Sequence, residues 1–170
     1  DVNGDSLPDI NVARITANSA ADLAIMINKF LSYERNPYTN FNFYDNPISV
    51  VGYQSDRWFQ LCGEAIYGFW KNHQGRNAKR EYYATSPPSA GSVWSTRDSI
   101  NGGNTRAVVN YFHGLGYIDT LIPSGLSWNT TATAINNDIN SGCFIVQHRD
   151  HGSETGWADP PYNQNNARAL

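Results

Sequence analysis

The sequence predicts an α/β fold with a mostly parallel sheet, because strand-like and helix-like segments alternate along the chain. Residues 48–52 have the apolar, β-branched pattern of a buried strand, and residues 57–71 then place apolar side chains at helical spacing. Residues 143–148 form a second apolar run, typical of a strand covered on both faces. We therefore expect a layered domain whose helices cover a parallel sheet.

The beginning of the chain predicts one strand and one helix. Residues 10–15 alternate apolar and polar side chains, which favours a strand. A helix is expected after Ser19, which forms a pattern like a capping box with Asp22, and it should end before Asn36 and Pro37. Its apolar face would consist of Leu23, Ile27, Phe30 and Leu31.

Other segments complete the predicted order. Residues 81–85 are expected to form a strand, and residues 86–103, rich in Ser, Gly and Pro, a long loop bordering a site. Two later helices should end near Gly114 and Gly142. Residues 36–47 indicate a linker, so residues 1–47 are assigned to the end of a first α/β subdomain and residues 48–170 to a second.

Composition excludes several classes of protein. With 12 Lys and Arg against 15 Asp and Glu, the net charge is −3, and the scattered basic residues do not favour nucleic acid as a partner. No apolar run reaches the length of a membrane span. The 2 cysteines are too few for a disulfide scaffold.

The acidic opening of the chain predicts a structural calcium loop. Carboxylate or amide oxygens at odd positions, together with one backbone carbonyl, have a spacing that can wrap a hard cation; the predicted ligands are Asp1, Asn3, Asp5, Leu7 and Asp9. The segment departs from the EF-hand pattern, with Ser6 in place of Gly and Val12 in place of the bidentate Glu. A solvated turn is the alternative.

His151 is the strongest candidate for chemistry. It directly follows the predicted strand 143–148, at the carboxyl edge where α/β sheets bind ligands. Imidazole suits general acid or base catalysis, and Gly152 leaves a backbone N–H unobstructed for an oxyanion hole. The alternative is a structural histidine hydrogen-bonded in a turn.

The stretch His-Gly-Ser-Glu-Thr-Gly-Trp at 151–157 resembles the gingipain family of cysteine endopeptidases, related in fold to caspases and legumains. The segments 7–10, 13–15 and 33–34 extend the resemblance. It implies a caspase-like layered fold, secretion or a cell-surface location, and hydrolysis of peptide bonds in protein or peptide substrates. It also implies that His151 is the catalytic histidine, that Gly152 contributes its N–H to the oxyanion hole, and that catalysis needs no cofactor.

Neither cysteine of the chain suits the role of nucleophile. Cys143 precedes His151 by eight residues on the predicted strand, roughly 26 Å at about 3.3 Å per residue. Cys62 lies among apolar residues of a predicted helix and favours core packing. The family resemblance places the nucleophile beyond Leu170, either on the same chain or on a second one, so the remaining part of the catalytic domain is an expected partner and this chain alone should be inactive.

Asp56 is the candidate for a third catalytic member that orients the imidazole, because it follows strand 48–52 at the same sheet edge. Its alternative role is the N-cap of the helix expected from Arg57. Glu154 is a weaker candidate, and Asp150 should point away from His151 if the strand's alternation persists.

Two other functions compete with the peptidase. The pattern His148-x-Asp150-His151 resembles the core of metal-dependent hydrolases, but Val146 stands where that core needs another histidine. A catalytically inactive relative, acting as a surface or adhesion module, is the second alternative. The dipeptide His113-Gly114 lacks the Ser-Glu-Thr-x-Trp continuation and is assigned a structural role.

Overall fold

A computed structural model describes residues 13–99 and 104–170, which divide into two compact units at Thr39 and Asn40. The first unit contains helix α1, Ala20–Arg35, and the Ser19 hydroxyl caps it by accepting a hydrogen bond from the Asp22 N–H at 3.1 Å. This confirms the predicted helix. The predicted strand is wrong for residues 13–15, which are irregular, because they pair with no other described strand. Residues 10–12 lie outside the described residues.

A three-stranded parallel sheet organises the second unit. It consists of β1 (Ile48–Gly52), β2 (Lys79–Tyr83) and β3 (Val146–Arg149), in the order β2-β1-β3. The mixed α/β class and the parallel pairing are therefore confirmed. β2 begins earlier and β3 later than predicted, because pairing with the central strand sets their limits: Ile48 lies opposite both Lys79 and Val146.

β1 is buried along its whole length, and its alternate side chains enter two apolar clusters. Val51 packs in a cluster with Leu61 of helix α2 (Phe59–Gly68), whereas Val50 packs in a cluster with Ile135 of helix α4 (Ala132–Asn140). Because successive side chains of a strand point to opposite faces, helices cover the sheet on both sides.

The remaining helices agree with the predicted order. α2 continues into a π-helical turn at Phe69–His73, and helix α3 spans Asn104–Gly114. α4 ends at Asn140, close to the left-handed Gly142 (φ 103°), near which the sequence predicts its end. The described part of the loop 86–103 contains a 3-10 turn at Thr96–Ser99. None of the described helices has the length and apolar character needed to cross a membrane.

A small antiparallel sheet, which the sequence analysis did not predict, directly follows β3. Its strands are β4 (Gly152–Ser153), β5 (Gly156–Trp157) and β6 (Tyr162–Asn163), in that order, and the short helix α5 (Gln164–Ala167) comes next. The side chains of Trp157 and Tyr162 pack with the cluster around Val50 and Ile135. The element that carries residues 151–157 is thereby anchored to the core.

Candidate functional site

The strand order identifies one edge of the parallel sheet as the place for a site. The chain passes from β1 to β2 on one side, and β3 then pairs with β1 on the other side. Ligands of open α/β sheets bind where the connections diverge in this way, outside the carboxyl ends of the strands. β1 ends at Gly52 and β3 at Arg149, so His151 lies at this edge, just beyond β3.

The imidazole of His151 is exposed and packs against the first residue of α2. Its ring meets the ring of Phe59 edge to face, with the centroids 5.1 Å apart and the planes at 89°. The guanidinium of Arg149 lies 5.4 Å from the centre of the same Phe59 ring. The His151 side chain therefore follows the end of β3, contacts the start of α2 and stays accessible to solvent.

The geometry of β4 leaves the Gly152 N–H directed away from β5. Gly152 lies opposite Trp157, and the Ala158 N–H donates to the His151 carbonyl at 2.9 Å. In an antiparallel ladder, the residues that flank a non-hydrogen-bonded pair are joined by hydrogen bonds. The bond between Ala158 and His151 therefore identifies Gly152 and Trp157 as a non-hydrogen-bonded pair. The Gly152 N–H can therefore donate to a group that approaches from outside the small sheet.

His148 has a different environment from His151. Its half-buried ring stacks on Trp157 with centroids 4.1 Å apart and planes at 5°, and its Nε2 lies 3.2 Å from the Asp159 carbonyl oxygen. Burial lowers the pKa of His148, while the contact with the Asp159 carbonyl and the charge of Asp150 oppose this shift. These contacts indicate that His148 fixes the small sheet to β3.

The prediction that Asp150 points away from His151 required the alternation of β3 to continue through residue 150, but β3 ends at Arg149. One carboxylate oxygen of Asp150, Oδ1, accepts a hydrogen bond from the backbone N–H of His151 at 2.5 Å. The other oxygen, Oδ2, is buried and has no hydrogen-bond partner among the described residues. Burial raises the pKa of Asp150, and the hydrogen bond from His151 opposes that shift.

Asp56 lies in the turn between β1 and α2, with its carboxylate exposed and 3.9 Å from Arg57 Nε. The alternative role of Asp56 as a helix cap is wrong, because α2 begins at Phe59 and its N-cap residue is Trp58. The role of Asp56 in orienting His151 stays a prediction. Glu154 is exposed in the turn between β4 and β5.

Cys143 and His151 lie at opposite ends of β3. Cys143 precedes the strand, is partly buried in the cluster with Ile135, and donates from Sγ to the Ile145 carbonyl at 3.0 Å. Burial raises the pKa of the Cys143 thiol, which disfavours the nucleophilic thiolate. Cys62 is partly buried in α2.

A cleft of about 510 Å³ opens at the same carboxyl edge. Tyr53 and Ser55 after β1 form one part of its lining, residues 85–88 after β2 form another, and Asp159 contributes a carboxylate. The backbone carbonyl of Asp159 also contacts His148, so the cleft adjoins the segment that carries His151. It has the size and position to receive part of a substrate.

The predicted calcium ligands, residues 1–9, lie outside the described residues. Within residues 13–99 and 104–170, no three or more His, Cys, Asp or Glu side chains are grouped to hold a metal ion. The pattern of His148, Asp150 and His151 therefore does not form the metal core that it resembles in sequence.

Comparison with known proteins identifies the family of the chain. A family model described as peptidase family C25 matches residues 1–170. Curated relatives include Lys-gingipain of Porphyromonas gingivalis strain ATCC 33277 and Lys-gingipain 381 and HG66 of Porphyromonas gingivalis, each 22% identical over 171 residues. These alignments cover 99% of this chain but only 7% of each relative. No solved structure matches the chain.

Proposed function

Because the chain belongs to peptidase family C25, we propose that it carries the catalytic histidine of a secreted or cell-surface, gingipain-like cysteine endopeptidase. The observation that carries this proposal is the position of His151. Its accessible imidazole lies at the carboxyl edge between β1 and β3, beside a glycine whose N–H is directed away from β5. This combination supports acyl transfer on a bound peptide, and neither the adhesion module nor the metal-dependent hydrolase is favoured.

In the proposed reaction, a cysteine thiolate attacks the peptide carbonyl and forms an acyl-thioenzyme. His151, protonated at that stage, donates its proton to the leaving amine and then accepts one from the water that releases the acyl group. The Gly152 N–H stabilises the oxyanion of the tetrahedral intermediate, and Asp56 accepts a hydrogen bond from the second ring nitrogen of His151.

The thiolate in this proposal comes from a residue outside the chain. Cys143 is held at the other end of β3, and Cys62 is packed within α2. We place the nucleophile in the sequence after Leu170 or on a second chain, in a part of the catalytic domain that completes the caspase-like layers. The substrates are proteins or peptides. Residues 1–47 would end the preceding subdomain and carry the structural calcium loop.

The decisive experiment is His151→Ala in the full-length protein, assayed on labelled casein with a thiol reductant present. We expect peptide hydrolysis to fall by about 1,000-fold or more, because the proton donor to the leaving amine is lost. His113→Ala is the matched control, since His113 also precedes a glycine but contacts the Ile118 carbonyl through Nδ1 at 2.9 Å. Retention of activity in the His151 variant would refute the proposed function.

A further inference from the structure

We propose that Asp150 is a positioning residue for His151, which fixes the backbone of the histidine and supplies the negative charge that stabilises its protonated ring. This inference rests on the proposed catalytic role of His151. Three features of Asp150 carry it: a hydrogen bond to the histidine backbone, an unpaired buried oxygen, and a location beside two imidazoles.

The hydrogen bond from the His151 N–H to Asp150 restrains the backbone of the segment after β3. Asp150 Oδ1 accepts from the His151 N–H at 2.5 Å, and the His151 carbonyl in turn accepts from the Ala158 N–H at 2.9 Å. Both backbone polar groups of His151 are therefore engaged. Hydrogen bonds to a charged acceptor are shorter and stronger than neutral ones, so Asp150 restrains the peptide that aims the imidazole.

The second oxygen of Asp150 lies in an environment that is unfavourable for a carboxylate. Oδ2 is buried without a hydrogen-bond partner among the described residues, and such an oxygen destabilises a folded protein. β1 accommodates it only because residue 52 is glycine: a Cβ there would lie 2.0 Å from Oδ2 and 2.7 Å from the Asp159 Cβ. A buried carboxylate oxygen without a hydrogen-bond partner, beside a candidate catalytic residue, is more readily explained by function than by stability.

The charge of Asp150 can act on His151. The titratable groups that interact with the carboxylate are Asp159 after β5 and, on its own segment, His151 and His148. Burial lowers the pKa of His148, and the charge of Asp150 opposes that shift. When the catalytic imidazole of His151 is protonated during the proposed reaction, the carboxylate stabilises that cation.

Asp56 has a different role from Asp150 in the proposed site. Its carboxylate is exposed and lies 3.9 Å from Arg57 Nε, and it is proposed to accept a hydrogen bond from the ring of His151 and not from its backbone. Asp150 is partly buried, and its bond to the backbone of His151 keeps it in place. Mutations of Asp56 and Asp150 should therefore have distinguishable effects.

The test compares Asp150→Asn and Asp150→Ala in the full-length protein, with kcat and KM measured on a peptide substrate. Asparagine keeps the acceptor for the His151 N–H but removes the charge. We expect kcat to fall about tenfold at little changed KM, because the charge that stabilises the protonated ring in the reaction is lost. Alanine also removes the hydrogen bond, so kcat should fall about 100-fold.

Asp45→Asn is the matched control, because it removes an exposed carboxylate from the turn before β1 and should leave kcat and KM unchanged. Circular dichroism checks folding, and the isosteric asparagine variant keeps the test valid if the alanine variant unfolds. A parental kcat in the asparagine variant would overturn the role of Asp150, as would a change in KM alone. If His151→Ala stays active, the proposed function itself fails, which is a separate result.

Discussion

His148 and His151 differ in what surrounds their rings, although only two residues separate them. His148 is half-buried between β3 and the small sheet, where Trp157 covers its face and the Asp159 carbonyl contacts Nε2. His151 is exposed, and its ring contacts one other ring within residues 13–99 and 104–170, that of Phe59, edge to face. The buried ring suits a structural role, and the accessible ring suits proton transfer.

The structural role of His148 predicts a pH dependence of stability. Burial lowers the pKa of His148 in the folded state below its ordinary value of 6.5. The unfolded chain therefore binds a proton at His148 more readily than the folded chain does. This contribution to stability is fully present above pH 6.5 and is lost as the pH falls towards the lowered pKa. His148→Phe keeps a ring against Trp157, so its free energy of unfolding in urea should decrease less between pH 7.5 and pH 5.5 than that of the parent. Equal decreases would contradict this role.

At the scale of elements, the sequence predicts best where local signals and burial agree. The Ser19 cap defines the start of α1, and residues 48–52 are apolar enough to become the central strand. The limits of β2 and β3 could not be predicted, because they depend on pairing with β1. β4–β6 are two residues each, too short for any periodicity.

The sequence could indicate part of the candidate site. It pointed to His151 and Gly152, because they follow an apolar strand within a specific motif, and their catalytic roles stay predictions. The hydrogen bond between Asp150 and the His151 backbone could not be predicted, since it lies beyond the end of β3 at Arg149. The glycine at position 52, next to Asp150 in space, is distant in sequence and gave no signal.

A polar link between α2 and β2 gives a prediction at this scale. Glu64 is buried, accepts hydrogen bonds from Arg80 at 2.5 and 2.9 Å, and accepts another from the Tyr82 hydroxyl at 2.9 Å. Arg80→Met leaves the buried carboxylate without its cation and should lower the free energy of unfolding by about 3 kcal/mol. Arg57→Met is the control, because both side chains of the Arg57–Asp56 pair are exposed and the pair should contribute less than about 1 kcal/mol. Similar losses in both variants would contradict the importance of the Glu64 link.

At the scale of the whole molecule, the chain spans 7% of the length of the curated relatives it matches. The described residues provide a histidine, an N–H donor and a cleft at one sheet edge, while the two cysteines are held elsewhere in α2 and before β3. In the proposed function, peptide hydrolysis is therefore a property of the full-length protein. Variants of this site have to be assayed in the full-length protein.

The predicted calcium loop is tested on the whole molecule, because calcium binding should change the stability of the folded protein. Asp1, Asn3, Asp5 and Asp9 offer oxygen ligands with the Leu7 carbonyl between them. A ligand that binds only the folded state stabilises it by about 2.7 kcal/mol at a hundred times its dissociation constant, so calcium should raise the melting temperature of chelator-treated protein. Magnesium should do so far less, since it requires a smaller and more regular shell.

Asp5→Asn separates a specific loop from a general effect of salt. It removes one charged ligand and should abolish most of the rise in melting temperature with calcium, while Asp45→Asn, outside the loop, should retain it. The calcium-free melting temperatures of both variants should stay near that of the parent, because a solvated carboxylate contributes little to stability by itself. An equal response of the parent and the Asp5 variant to calcium would show that these residues form a solvated turn.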